Sequence, residues 1–249
     1  ENYEAAQEDA TILLEMAPRG AAANYINGVL LFQAGDFLGA SRALRDAETL
    51  SEQFPIIPYY LAISYLIENY HPDFCLHVGY CGGTDPRFAA GDVIIADAIV
   101  NAKDGAKLNP DAASVERAIK LCNEKGIRAK VGSVVTVEKA VCSPHEKAFV
   151  GTKHAVVGID MESFELARSC DSNSVPYLVA RAVFDPLDMD LPDLTDNLDK
   201  TGELDGMMLA EDLIKNPKKM MKLPKLQYCA AQARQTLTSF VDAWQEGVE

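Results

Sequence analysis

The sequence predicts an α/β domain, a mixed sheet with flanking helices, preceded by an all-helical module. Three observations carry that prediction. Residues 155–185 read as strand, helix, strand. An apolar run from Phe74 to Tyr80 ends in a glycine pair, Gly82-Gly83. Residues 1–66 hold no convincing strand and repeat with a period of 34. The boundary falls in the junction Ile67 to Pro72, so 1–66 is the helical module and 67–249 the α/β domain.

In the N-terminal module, Gly28 and Ala62 lie one period apart, as do Leu31 and Tyr65, Ala6 and Ala40, Ala10 and Leu44, and Leu13 and Ala47. Small residues recur where helices approach closely, and larger apolar residues fill between them. A helix-turn-helix pattern with this period is the mark of a tetratricopeptide repeat. Residues 21–50 form one full unit, with Gly35-Asp36 as its turn. Tyr3 to Met16 and Tyr59 to Ile67 are the flanking half units. An array usually needs about three repeats, so this module is expected to lean on the α/β domain or on a protein partner.

The α/β region opens with the strand Phe74 to Tyr80 and its glycine loop. That loop has neither the GxGxxG spacing nor a P-loop lysine, which excludes the usual dinucleotide and triphosphate sites. Gly91-Asp92 turns into a strand, Val93 to Val100. Asp111 starts a helix that closes at Gly126. A strand follows, Ala129 to Val137. Ser143 and Glu146 form a capping box at the head of the next helix. The run Ala155 to Ile159 is a strand, Phe164, Leu166 and Ala167 mark a helix, and Tyr177 to Val183 is the last strand, ending at Asp185. This βαβ unit predicts parallel strands whose carboxyl ends share one sheet edge, with Glu162 and Asp185 facing one crevice. Residues 186–206, rich in Asp and Pro, read as a long loop. Residues 207–248 return to helix, with a basic cluster from Lys215 to Lys225 that reads as a solvated helix end or, more sharply, as a site for an anionic partner.

Composition bounds the function. The 249 residues are 48% apolar, enough for a real core, and carry a net charge of −14. That charge disfavours nucleic acid and anionic membrane as partners. No apolar run approaches the roughly 20 residues that span a bilayer, and the acidic, amphipathic first residues do not resemble a signal peptide. A cytoplasmic protein is expected. The six cysteines include no CxxC pair and the four histidines are scattered, so no metal site and no disulfide framework is expected. His77 and Cys75 read as core residues and His145 as a surface residue.

From spacing alone, two readings stand for each candidate carboxylate. Glu162 either complements a helix dipole or binds a ligand. Asp185, before Pro186, is either a turn residue or an acid at a strand end.

The runs VGYCGGTDPRFAAGDVIIAD, VGIDMESFELA and VPYLVARAVFD together resemble the nucleoside phosphorylase and nucleosidase superfamily, over about residues 68–248. TVEKAVCSPHEKA, FDPLDMDLPDL and the basic tail look most like the hopanoid-associated branch, the adenosylhopane nucleosidases. The resemblance implies cleavage of a purine nucleoside at its N-glycosidic bond, by water or by inorganic phosphate as co-substrate, with no other cofactor. A bulky apolar 5′ substituent is implied for the substrate, and a homo-oligomer for the protein. It implies that Asp185 is the general acid at purine N7 and that Glu162 holds the ribose hydroxyls. Met161 would pack under the sugar. Tyr80, Cys81, Gly82 and Gly83 would contact the sugar or the nucleophile, and Val137 and Val141 would border the base. Arg181 would pair with a carboxylate and tune it, or serve structure. The family's N-terminal strands, which supply phosphate ligands or a water-activating acid, are replaced here by helical repeats, and an open sheet edge is expected where they belong. The alternative is a non-catalytic protein that binds partners through the repeat and keeps a vestigial nucleoside pocket.

Overall fold

The computed structural model describes residues 21–33, 36–50, 72–191 and 217–247. The chain divides into two compact units, Glu1–Asp73 with Leu194–Glu211, and Phe74–Asp193 with Asp212–Glu249.

In the first unit, α1 (Ala21–Gln33) and α2 (Phe37–Leu50) form a helical hairpin. Asp36 starts α2 and its carboxylate accepts from the Gly39 amide at 2.9 Å. Ala40, Leu44 and Ala47 are buried, with Tyr25 and Val29 packed against Leu44 and Ala47. A β-carbon on Gly28 would stand 2.6 Å from the Leu44 side chain, so only glycine lets the two helices come this close. The helical content of 21–50 is as the periodicity predicts. The flanking half units, Tyr3–Met16 and Tyr59–Ile67, lie outside the described residues.

The second unit holds β1 (Cys75–Gly83), β2 (Val93–Asn101), β3 (Lys107–Leu108), α3 (Ala112–Lys125), β4 (Ala129–Thr136), α4 (Pro144–His154), β5 (Gly158–Asp160), α5 (Ser163–Ser172), β6 (Tyr177–Asp185) and α6 (Pro217–Glu246). Within the described residues the predicted strands and helices form, and β3, a two-residue ribbon against the end of β2, is added; residues 192–206 of the expected loop and 207–216 of the expected helix lie outside the described residues. Asp111 caps α3, its carboxylate accepting from the Ser114 amide at 2.8 Å. Ser143 and Glu146 make the predicted capping box on α4. The strand expected from Ala155 shortens to Gly158–Asp160, because Ala155 takes the left-handed cap position of α4.

Strand order is β3-β2-β4-β5-β1-β6, and β6 also pairs with β2, closing five strands into a ring. This mixed sheet corrects the expected parallel βαβ unit. β1 runs parallel to β6 but antiparallel to β5, so β5 and β6 are opposed and their carboxyl ends do not share an edge. The cause lies in β1. Gly82 and Gly83 pair with Ile159 and Gly158, which inserts β1 between the two strands that the sequence joins through α5. Along Ala180 to Ala182, β6 also pairs with Ile95 to Val93 of β2.

Two apolar layers flank the ring. Phe164, Ala167 and Cys170 of α5 pack with Val179 and Val183 of β6. On the other side Ala118 and Cys122 of α3 and Phe240 and Trp244 of α6 pack with Leu178 and Ala180. The alternation along β6 thus buries both of its faces, as a strand covered on both sides requires. Of the basic cluster, Lys222 pairs with Asp190 and Lys225 lies 3.9 Å from Asp188, while Lys215 lies outside the described residues.

Candidate functional site

Two clusters of buried charge flank β1. The first is built on Asp185 at the end of β6. A β-bulge skips Phe184, so the register runs from Cys81 opposite Val183 directly to Gly82 opposite Asp185. Bulges re-aim side chains, and here the Asp185 carboxylate lies over Gly82. A β-carbon on Gly82 would sit 3.2 and 3.3 Å from its two oxygens. Asp185 is only 5% exposed. Its partner is Lys147 of α4, whose Nζ is 2.6 Å from Oδ2 and whose side chain is wholly buried. The same ammonium donates to the carbonyls of Met189, at 2.8 Å, and Pro186, at 3.1 Å. Burial raises the Asp185 carboxyl above its ordinary range, and Lys147 pulls the other way.

The second cluster is built on Arg181, also on β6 and nearly fully buried. Its Nε lies 2.8 Å from Asp160 Oδ2 and 2.9 Å from Ser163 Oγ. Its Nη2 reaches His77 Nε2 at 3.1 Å and comes within 3.8 Å of Glu162. Gly79 makes room for it, since a β-carbon there would collide with Nη1. Asp160 ends β5 and accepts from the hydroxyls of Thr136, at 2.7 Å, and Ser163. It also accepts from the Ser163 amide, while Thr136 Oγ1 accepts from the Phe164 amide. These bonds satisfy the free amides at the head of α5, which fixes Met161-Glu162 just before it. Desolvation raises the Glu162 carboxyl, with Arg181 lowering it and Asp160 adding to the rise. Burial and Arg181 push His77 down to about 3, so its ring is neutral.

Arg181 pairs with a carboxylate, one of the two roles expected for it, and that carboxylate is Asp160. Glu162 sits by Arg181, and the cation at Asp185 is Lys147. Cys81 is buried and its thiol is pushed well up by that burial. Met161 and Tyr80 are 44% and 47% exposed, apolar surface left bare beside the carboxylates. Val137 and Val141 border an apolar cluster with Val135 and Ile159, and the Val137 amide donates to the Asp160 carbonyl at 2.9 Å. His77 is no plain core residue, since it faces Arg181. Tyr80 and Phe184 also line a cavity of about 400 Å³ against Gln227, Ala230, Ala231 and Arg234 of α6. Neither Asp185 nor Glu162 lines that cavity. Among the described residues no group of His, Cys, Asp and Glu is placed to hold a metal ion, and no helix is long and apolar enough to cross a membrane.

Sequence reasoning missed Lys147, Asp160, Thr136 and Ser163. A lysine within the apolar side of a short helix was the available signal for Lys147. Asp160 and Ser163, three residues apart, carry a local capping signal; Thr136 carries none, because its partners lie 24 and 28 residues away.

Comparison with known proteins agrees with this architecture. Residues 54–212 match the Phosphorylase superfamily. The 5′-methylthioadenosine/S-adenosylhomocysteine nucleosidase of Shewanella loihica is 27% identical over 167 residues, which cover 60% of this chain and 73% of that protein. The structure of the Helicobacter pylori 5′-methylthioadenosine/S-adenosylhomocysteine nucleosidase with butyl-thio-DADMe-Immucillin-A superposes with a TM-score of 0.52. It is 19% identical, with 73% of each chain covered. A mutant futalosine hydrolase of the same organism gives a TM-score of 0.46 at 19% identity, over 49% of this chain and 63% of its own length. The chain thus spans less than two thirds of that last protein.

Proposed function

The chain belongs to the phosphorylase superfamily, and from that premise we propose that it hydrolyses the N-glycosidic bond of a purine nucleoside. The observation that carries the reading is Asp185, a buried carboxyl with a raised pKa, held over Gly82 at a strand end. Departure of a purine leaves the sugar oxocarbenium-like and makes N7 basic. A protonated Asp185 gives its proton to N7 as the C–N bond breaks and the bonding electrons pass to the base. Glu162 accepts from ribose hydroxyls, bonds that tighten as the sugar gains positive charge. Met161 packs under the sugar, and Tyr80 and the Gly82-Gly83 backbone border it. Val137 and Val141 flank the base. Water then adds to the sugar carbon and gives up a proton to solvent, from which the Asp185 carboxylate is reprotonated.

Two observations favour water over inorganic phosphate and an apolar substrate over a polar one. The Arg181 guanidinium is committed to Asp160, Ser163 and His77, which leaves it paired with a carboxylate instead of offered to a phosphate. The bare apolar surface of Tyr80 and Met161 suits a bulky apolar 5′ group, of which an adenosylhopane is one example. The helical hairpin we read as a tetratricopeptide-like unit, because Gly28, Ala40, Leu44 and Ala47 hold its interface at positions that carry the 34-residue period.

The test is adenine release from 5′-methylthioadenosine and from longer 5′-alkyl adenosines, with and without phosphate. Wild type should release adenine without phosphate, and Asp185→Asn should lower kcat/KM by about 100-fold or more. Unchanged turnover in Asp185→Asn would remove the acid from its role. Release that requires phosphate would replace water as the nucleophile.

A further inference from the structure

We infer that Lys147 is a positioning residue for the proposed acid: it clamps one oxygen of Asp185 and the turn that follows, leaving the other oxygen for the leaving base. The inference rests on the nucleosidase reading above. Its basis is geometric. Lys147 has no exposed surface, and a buried ammonium is strongly disfavoured unless it is paired and fully hydrogen-bonded. Here it is both. Its ammonium meets four acceptors, Asp185 Oδ2 and the carbonyls of Met189, Pro186 and, at 3.3 Å, Asp185 itself, so its three N–H bonds are all used and one is shared. One side chain thus fixes the carboxylate and the backbone 185–189 on which it is carried.

The anchor is itself rigid. Lys147 lies in the first turns of α4, whose start is locked by the Ser143–Glu146 box. The Lys147 amide donates to the Ser143 carbonyl, and the Leu191 amide to the Cys142 carbonyl, so both ends of the 185–191 segment meet the head of α4. With Oδ2 taken, the other oxygen is the one that can meet a substrate atom. The ammonium also favours the ionised carboxylate against the burial that opposes it. Other ionisable groups that act electrostatically with Asp185 are Cys81 of β1 and Cys229 of α6, and Asp188 of the turn acts with Cys229. Lys147 is the cation in direct contact. It holds the proton affinity of Asp185 down, so that the proton can leave for the purine.

Lys147→Gln and Lys147→Arg separate this role from a merely structural one. Gln keeps a donor to the carbonyls and loses the charge; Arg keeps the charge. The expected result for Gln is a kcat lowered by about 100-fold, the cost of a small misplacement, with KM within about threefold. The alkaline limb of its pH profile should move to higher pH. Arg should keep the limb in place and restore part of kcat. A Gln variant with the wild-type limb and kcat would overturn the inference. So would an Arg variant as impaired and as shifted as Gln. Titration of Asp185 by carbon-13 NMR, assigned with Asp185→Asn, reads the same coupling without turnover. If no variant cleaves nucleoside yet Asp185 titrates higher in Lys147→Gln, the clamp stands and the nucleosidase reading falls. If cleavage depends on Asp185 but its titration is unmoved by Lys147→Gln, the clamp falls and the enzyme reading stands.

Discussion

Asp185 shows how one residue's chemistry is set by what surrounds it. Burial raises its carboxyl and Lys147 restrains the rise. In the proposed role of general acid Asp185 works when protonated, so a raised pKa carries the active form to higher pH. Activity should hold below the folded-state pKa and fall as pH rises through it, with a limb above the ordinary carboxylate range. In Asp185→Asn that limb should vanish from the kcat/KM profile. Gly82 offers a second test. A methyl there would meet both Asp185 oxygens at 3.2 and 3.3 Å, tighter than an unstrained contact. Gly82→Ala should therefore lower kcat by at least about tenfold, with thermal unfolding moved little, because the strain falls on one side chain and not on the core. Activity like wild type would show that the carboxylate tolerates displacement.

At the scale of elements, helix heads position the charges. The head of α4 carries Lys147, and the head of α5 follows Glu162. The two are closed differently. α4 uses a capping box that lies within four residues of sequence, and Ser143→Ala should cost about 1 kcal/mol by chemical denaturation. α5 has no cap from its own N-terminal residue, Glu162, and borrows Asp160 and, from β4, Thr136. The box and the Asp160 contact to Ser163 are both local; only the Thr136 contact, 28 residues away in the chain, lies beyond the reach of one sequence. The strands tell a similar story. Apolar runs marked β1, β2, β4 and β6 correctly, but a run of apolar residues does not state which strand lies beside it. The parallel βαβ unit was the natural inference from strand, helix, strand. It fails here because β1, some 75 residues upstream, pairs with both.

Across the second unit, a closed ring of strands packs with α5 through one apolar cluster and with α3 and α6 through another. α6 matters most at its end. Trp244 is 5% exposed, stacks on Phe74 with ring centroids 5.7 Å apart, and lies under the Arg117 guanidinium at 4.5 Å. Trp244→Ala should destabilise the α/β unit by about 3–5 kcal/mol, the usual cost of emptying such a site. Denaturant unfolding followed by circular dichroism measures it, and a loss under about 1 kcal/mol would show that α6 is not part of the cooperative core.

The sequence by itself determined the α/β class, the helices within 21–50 and the places of β1, β2, β4 and β6, and it singled out Asp185, Glu162, Arg181 and the glycines of β1 as candidates. Those follow from local rules of periodicity, capping and turn chemistry, which need only near neighbours in the chain. Tertiary structure alone decided which charges meet. It gave Lys147 to Asp185 and Asp160 to Arg181, turned β5 against β6, and aimed Asp185 at Gly82 through a bulge. Each of those pairings joins segments far apart in the chain, where hydrogen-bond register and the cost of burying an unpaired charge select the partner.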